Sequence, residues 1–297
     1  MKFLVAGWFS FEEMGASAGD LLVRDLVHGW LREASYGCDI AVAAPFTDGI
    51  AWQDADPSKY SGVIFVCGPF GNGPPLVEFL RHFTGLPLVG VNLSMLQDLA
   101  EWNPFNLLLE RDSSATARPD LVFMTSQPRV PVVGLVLVHP QPEYRERGRH
   151  AEANRALQEL LASRELVVVP IDTRLDDNQV RLRTPAEVES LIARMDAIVT
   201  TRLHGMVLAL KNGVPALVVD PIAGGAKILR QANAIGWDKV YTADDLDHMA
   251  LQRALDFCFS EDGSRAAARV AASAARKCAV VREELLTGLR ALNRTVT

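Results

Sequence analysis

The sequence predicts an α/β protein of two domains. Three observations predict it: short unbroken apolar runs recur, helix-period segments separate them, and the alternation resumes beyond a polar, proline-bearing stretch. Continuous apolar runs suit strands covered by helices on both faces, as in parallel sheets. The candidate strands, in order, are KFLVAG, CDIAVAA, GVIFVCG, LPLVGVN, DLVFM, PVVGLVLVH, ELVVVPID, DAIVTT and VPALVVD. Helical periodicity falls at about 20–34, 74–84, 147–164, 184–194, 202–212, 224–235 and 243–258. Five strands precede the stretch TSQPRVP at 125–131 and four follow it, so it reads as a linker. The expected domains are 1–127 and 128–297, with a cleft between them. The last segment, RAAARVAASAARKCAVVREELLTGLRAL, reads as an Ala-rich helix that covers the C-terminal domain or crosses back to the first.

Composition narrows the function classes. The 297 residues are 49% hydrophobic and 22% charged, as in an ordinary globular protein. Thirty basic against 36 acidic residues leave a net charge of -6, which argues against a nucleic-acid partner but not against a small anion in a locally positive pocket. Cys38, Cys67, Cys258 and Cys278 are scattered, without a C-x-x-C pair, and read as reduced thiols. The first residues, MKFLVAGWFSFEEM, lack an uninterrupted signal-peptide core, and no stretch is long and apolar enough for a membrane span. A cytoplasmic location is the expectation.

The segment DAIVTTRLHGMVLALKNGVPALVVDP concentrates the chemistry. Thr201 is expected to cap a helix after the strand DAIVT, with Leu203, Met206, Val207 and Leu210 as its buried stripe and Gly213 as its stop. Arg202 and His204 then sit in the first helical turn at the C-terminal edge of a sheet, where ligands bind in open α/β folds. A helix start favours anions and disfavours a fixed cation, so Arg202 needs a negative partner: a protein carboxylate or a ligand. Downstream, Gly224 and Gly225 form a turn before a helix opened by Lys227, which is expected to cradle an anion one strand along. At the N-terminus, GASAGD leads into a helix with Asp20 at its start, either a simple cap or a functional carboxylate. In ERDSS, Arg111 precedes two serines.

The block TTRLHGMVLALKNGVPALVVD with GGAKIL, taken in order with GASAGD and ERDSS, resembles the polysaccharide pyruvyl transferase family. The likeness runs from about residue 15 to 235, and CGPFGNGPP stands where the family has a richer glycine turn. The resemblance implies two Rossmann-like domains facing a cleft, similar to the glycosyltransferase-B type. It implies transfer of the enolpyruvyl unit of phosphoenolpyruvate onto a saccharide, closing a ketal over two hydroxyls and releasing phosphate. Arg202, His204 and Lys227 would serve the donor, and Asp20 and Arg111 match positions needed for activity. The expected roles are His204 as proton donor or shuttle and Asp20 as base or acceptor-orienting group. Gly224, Gly225 and Arg111 join the donor side. No cofactor and no metal are expected. The partners are a small-molecule donor and a saccharide, with a homodimer left open.

One departure stands out. Where the family carries Arg-Pro at the end of the strand opening the second domain, this chain has His139 in VGLVLVHPQ, and Arg145, Arg147 and Arg149 follow as substitutes. In IDTRLDDNQ, Asp172, Asp176 and Asp177 read as a solvated acidic loop rather than a divalent-metal site. Trp8 and Trp102 read as packing residues before sugar-stacking ones. Two rival functions remain: a sugar-nucleotide transferase on the same fold, and a degenerate relative that keeps an anion pocket without activity.

Overall fold

The computed structural model describes residues 1–294. The chain divides into two units, Met1–Pro128 and Arg129–Thr297, the second ending outside the described residues.

The first unit runs β1 (Lys2–Gly7), α1 (Ala18–Glu33), β2 (Gly37–Ile40), β3 (Gly62–Val66), α2 (Leu76–His82), β4 (Leu88–Val91) and β5 (Leu107–Leu109). Every pairing in its sheet is parallel, in the order β2-β1-β3-β4-β5. β3 is buried along its whole length, as a central strand covered on both faces must be. On one face Phe11, Trp52, Phe65, Phe70 and Phe79 pack as an aromatic core. Trp8 joins it against Phe11 and Phe65, and Trp102 stacks on Phe70 at 5.9 Å, so both tryptophans pack.

DLVFM is not a strand. Asp120 accepts the Val122 N–H at 2.9 Å and turns Leu121–Met124 into a 3-10 helix, leaving Phe123 88% exposed. The local Asx cap outweighs the β propensity of the run. The fifth strand is instead LLL at Leu107–Leu109, too short to stand out as a periodic signal.

The second unit runs β6 (Val132–Val136), α3 (His150–Ala162), β7 (Val167–Pro170), α4 (Pro185–Ile192), β8 (Ala197–Thr200), α5 (Leu203–Lys211), β9 (Ala216–Asp220), α6 (Lys227–Ile235), β10 (Val240–Thr242), α7 (His248–Cys258) and α8 (Glu261–Arg294). Its parallel sheet is ordered β7-β6-β8-β9-β10. Counted from the first strand of each unit, both sheets follow the order 2-1-3-4-5. Both units are Rossmann-like.

β8 and β9 are buried throughout, under helices on both faces. α8 packs against α5, α6 and α7, burying Ala267 and Val270, while Val281, Leu285, Leu289 and Leu292 farther along it are exposed. No helix among the described residues is long and apolar enough to cross a membrane. The 2-1-3-4-5 order fixes where a ligand site is expected in the second unit. Connections leave the sheet in opposite directions from β6 and β8, opening a crevice beyond their C-terminal ends.

Candidate functional site

The crevice is present. A cavity of about 290 Å³ is lined by Val138, His139 and Pro140 after β6, by Thr201, Arg202 and His204 after β8, and by Arg174, Glu143 and Lys227. Arg174, Arg202 and Lys227 are fixed cations on the wall beside two imidazoles and the Glu143 carboxylate, while Asp172 and Asp176 face Arg202 and Arg174. The arrangement therefore favours an anionic ligand.

The dipeptide Thr200-Thr201 ties the two strand ends together. Thr200 Oγ1 donates to the Val136 carbonyl at 2.7 Å and accepts the Arg202 N–H at 2.9 Å. Thr201 Oγ1 accepts the Val138 N–H at 2.9 Å and donates to Asn154 Oδ1 at 2.8 Å, which anchors α3 as well. Both threonines are fully buried, where unpaired hydroxyls would be costly.

Gly205 completes the joint. A Cβ there would lie 2.3 Å from Thr200 Oγ1 and 3.0 Å from Val136 Cγ1, so only glycine lets the first turn of α5 sit against the strand ends. Met206, Ala209 and Leu210 bury the helix behind it. Thr201 is not the cap. The N-cap is Arg202, with extended backbone and no side-chain capping bond, because both threonine hydroxyls serve the strand ends. The first-turn N–H groups of α5 therefore lack a side-chain acceptor.

Arg202 does have a carboxylate nearby, but only loosely. Its Nη1 lies 3.6 Å from Asp172 Oδ1 and is buried without a hydrogen-bond partner. Burial pushes the Arg202 guanidinium below its ordinary pKa, with Asp172 working in the opposite direction. Asp172 is itself 8% exposed, which removes it from the solvated acidic loop. It accepts the Arg174 N–H at 2.9 Å and meets His139 Nε2 at 3.2 Å. His139 thus reaches the cavity wall already partnered, and His204 is exposed at the start of α5.

Lys227 opens α6 with its ammonium 5.8 Å from the Tyr144 ring centroid. The neighbouring turn is committed to protein. Gly224 N–H donates to Asp244 at 2.5 Å, and Gly225 N–H to the Ile222 carbonyl at 2.8 Å. The buried Asp220 carboxylate accepts from Ala226 at 2.8 Å and Leu229 at 3.0 Å, filling the anion position at the α6 start. Gly224 and Gly225, both with φ above 70°, shape the turn and do not line the cavity. Of the arginines after His139, Arg147 donates to the Ala223 and Gly225 carbonyls and Arg149 pairs with Glu152 at 2.7 Å. None of Arg145, Arg147 and Arg149 lines the cavity.

Asp20 and Arg111 belong to the first unit. Asp20 is the N3 residue of α1 and forms a capping box with Ser17, accepting its N–H and its hydroxyl, each at 2.7 Å. Arg111 Nη1 donates to Asp120 at 2.9 Å, Nε to Asp112 at 3.2 Å, and Nη2 to Ser94. Burial opposes ionisation of Asp120, but the Val122 N–H, Arg111 and Asn92 together hold its carboxyl below the usual range. The structure thus gathers Arg202, His204, Lys227 and His139 in one cavity and gives Asp20 and Arg111 local partners in the other unit. Sequence reasoning missed Asp172 and Arg174 as site residues. Their signal is their place just after β7, on the same sheet edge as His139 and Arg202.

Residues 106–221 match the model of the polysaccharide pyruvyl transferase family. The likeness read from the RLHG and GVP segments is that of this family over those residues, which carry Arg111, His139, Asp172, Arg174, Arg202 and His204. No curated protein matches the chain. Among solved structures it is similar to the spinosyn rhamnosyltransferase SpnG complexed with thymidine diphosphate, at 12% identity and a TM-score of 0.34, covering 95% of this chain and 99% of that one. The spinosyn forosaminyltransferase SpnP matches at 12% identity and a TM-score of 0.33, covering 96% and 99%. The T4 phage BGT in complex with UDP and Mn2+ matches at 8% identity and a TM-score of 0.27, covering 95% and 97%.

Proposed function

We propose that the cavity between the β6 and β8 ends binds phosphoenolpyruvate and that the chain transfers its pyruvyl carbon skeleton onto a saccharide diol as a ketal. The observation that carries this reading is the concentration of Arg174, Arg202, Lys227, His139 and His204 around one cavity, largely within the family-matched segment. Phosphoenolpyruvate presents a phosphate and a carboxylate about one carbon apart, and such a ligand needs several donors of positive charge converging on a small volume.

In this reaction the donor methylene carbon gains a proton and becomes methyl. The two acceptor oxygens bond to C2 as the C2–O bond to phosphate breaks. Of the two hydroxyl protons, one balances the new methyl hydrogen and the other leaves with phosphate. The phosphate sits against Arg202, Lys227 and the uncapped first turn of α5. His204, two residues into that helix, delivers the proton to the methylene carbon. Asp20, which accepts the Ser17 N–H in the first unit, is assigned to the acceptor as base or orienting group.

The test is a calorimetric titration of phosphoenolpyruvate into the wild-type protein and into Arg202→Ala, with UDP as the control ligand. Binding by the wild type that the substitution weakens by tenfold or more, about 1.4 kcal/mol, supports the reading. Binding of UDP without phosphoenolpyruvate would replace it with a sugar-nucleotide transferase, and silence with both would favour an inactive relative.

A further inference from the structure

His139 stands where the resemblance leads one to expect a donor-holding arginine, and its Nε2 is engaged with Asp172 at 3.2 Å. An imidazole in that position cannot present the two parallel N–H donors that grip a carboxylate. The arginines that follow it do not reach the cavity. Among the described residues, the arginines lining the cavity are Arg174 and Arg202. Arg202 points one nitrogen toward Asp172 and lies beside the α5 start, the end of the cavity assigned above to phosphate.

Arg174 has the needed shape and shows it. Its Nε and Nη2 hold the two oxygens of Asp176 at 3.0 and 2.6 Å, a bidentate carboxylate complex at the cavity rim. Asp176 is 73% exposed, and Arg174 itself keeps a third of its side chain open. Exposed pairs of this kind contribute little net stability, so a ligand carboxylate can take over the fork with little loss. The backbone around Arg174 is firmly set: its N–H is held by Asp172, and its carbonyl accepts from Asn178 at 2.5 Å.

We infer that Arg174 is the carboxylate clamp of the donor site, supplying from the β7 loop the fork that the resemblance leads one to expect at His139, and that Asp176 holds the clamp when no donor is bound. The inference rests on the phosphoenolpyruvate reading. It assigns the two anionic groups of the donor to different walls: phosphate to α5 with Arg202 and Lys227, carboxylate to Arg174. Asp176 competes with the donor for the same two nitrogens and sets its affinity.

Calorimetry on the full chain separates the two walls, with phosphoenolpyruvate and inorganic phosphate titrated into wild type, Arg174→Gln, Arg174→Lys and Asp176→Asn. Arg174→Gln weakens phosphoenolpyruvate by about 10- to 100-fold, the scale of a lost charge-assisted pair, while phosphate affinity changes less than about threefold. Arg174→Lys falls between, because it keeps the charge and loses the fork. Asp176→Asn tightens phosphoenolpyruvate severalfold and leaves phosphate within about threefold. Thermal midpoints near the wild-type value establish that the variants fold. If the wild type binds phosphoenolpyruvate and Arg174→Gln binds it equally well, or loses phosphate in the same proportion, the clamp is overturned and the donor reading stands. If the wild type binds no phosphoenolpyruvate, the donor reading falls and takes the clamp with it.

Discussion

Arg202 Nη1 stands 3.6 Å from Asp172 Oδ1, buried and without a hydrogen bond, at the wall of a cavity lined with cations. An ion pair left this loose loses solvation without gaining a full contact, so an anion that completes the contact is favoured. Asp172 restrains Arg202 and His139 together, and at the same time its charge opposes any incoming anion.

Asp172→Asn should therefore act in two opposite directions. The amide oxygen keeps an acceptor for the Arg174 N–H, but the charge beside Arg202 and His139 is gone. Folding stability is expected to fall by about 1–3 kcal/mol, since the partly buried Arg202 and His139 lose the carboxylate they face. Phosphoenolpyruvate affinity is expected to rise up to about fivefold, the scale of one removed, partly screened charge. Denaturant melts and calorimetry on the same preparation read both. Unchanged stability together with weaker binding would refute this view of Asp172.

Gly205→Ala tests the joint itself. The added methyl would sit 2.3 Å from Thr200 Oγ1, so the first turn of α5 must move away from the β8 end. Overpacking of this kind costs about 1–3 kcal/mol. Because Arg202 and His204 ride on that turn, donor binding is expected to weaken by at least tenfold even at temperatures where the variant is fully folded. A variant that melts early but binds normally would mean that the turn position is not critical.

Asp220 fixes the other wall. Its buried carboxylate accepts from the Ile222, Ala226 and Leu229 N–H groups and so holds the start of α6, where Lys227 stands. Asp220→Ala leaves these donors without their acceptor, at a cost of about 2–4 kcal/mol, seen as a lower midpoint in urea. Lys227→Ala, by contrast, is expected to leave the midpoint within about 0.5 kcal/mol and weaken phosphoenolpyruvate binding, which separates the scaffold from the ligand contact.

His150, the first residue of α3, gives the second unit an acid-sensitive point. It is 9% exposed, and its Nε2 has no hydrogen-bond partner. Burial lowers its pKa from the ordinary 6.5, with Glu143 opposing and Lys227 reinforcing the shift. The unfolded chain then binds the proton more readily than the folded one. Stability is intact above pH 6.5 and declines as the pH falls from 6.5 toward the lower folded value. Thermal midpoints at pH 7.5 and 5.5, compared for wild type and His150→Gln, should show a smaller acid-side drop in the variant. An equal drop in both would assign the sensitivity to other groups.

Much of the fold was legible because it depends on short-range pattern. Buried parallel strands are continuous apolar runs, and β1, β3, β8 and β9 could be read directly. The motif TTRLHG was equally legible: two hydroxyls, a cation, an imidazole and a glycine at a strand-to-helix joint mark a site without any knowledge of its partners. The run DLVFM misled because one Asp-to-backbone bond outweighed its β propensity, and LLL was missed because three residues carry no period.

What the sequence by itself determined is the alternation of strand and helix, the two-unit division and the residues at the end of β8. What only the tertiary structure decided is who stands beside them. Strand order 2-1-3-4-5 is not written in local pattern, yet it brings residues 139, 172–174 and 202–204 to one edge from well-separated runs of the chain. It turned Asp172 from a loop acid into a buried partner of Arg202 and His139 and gave Arg174 a place at the cavity. It also bound Gly224 and Gly225 to the protein's own carboxylate and carbonyl. The physical reason is that charge pairing and burial depend on distance in space, which sequence spacing does not encode.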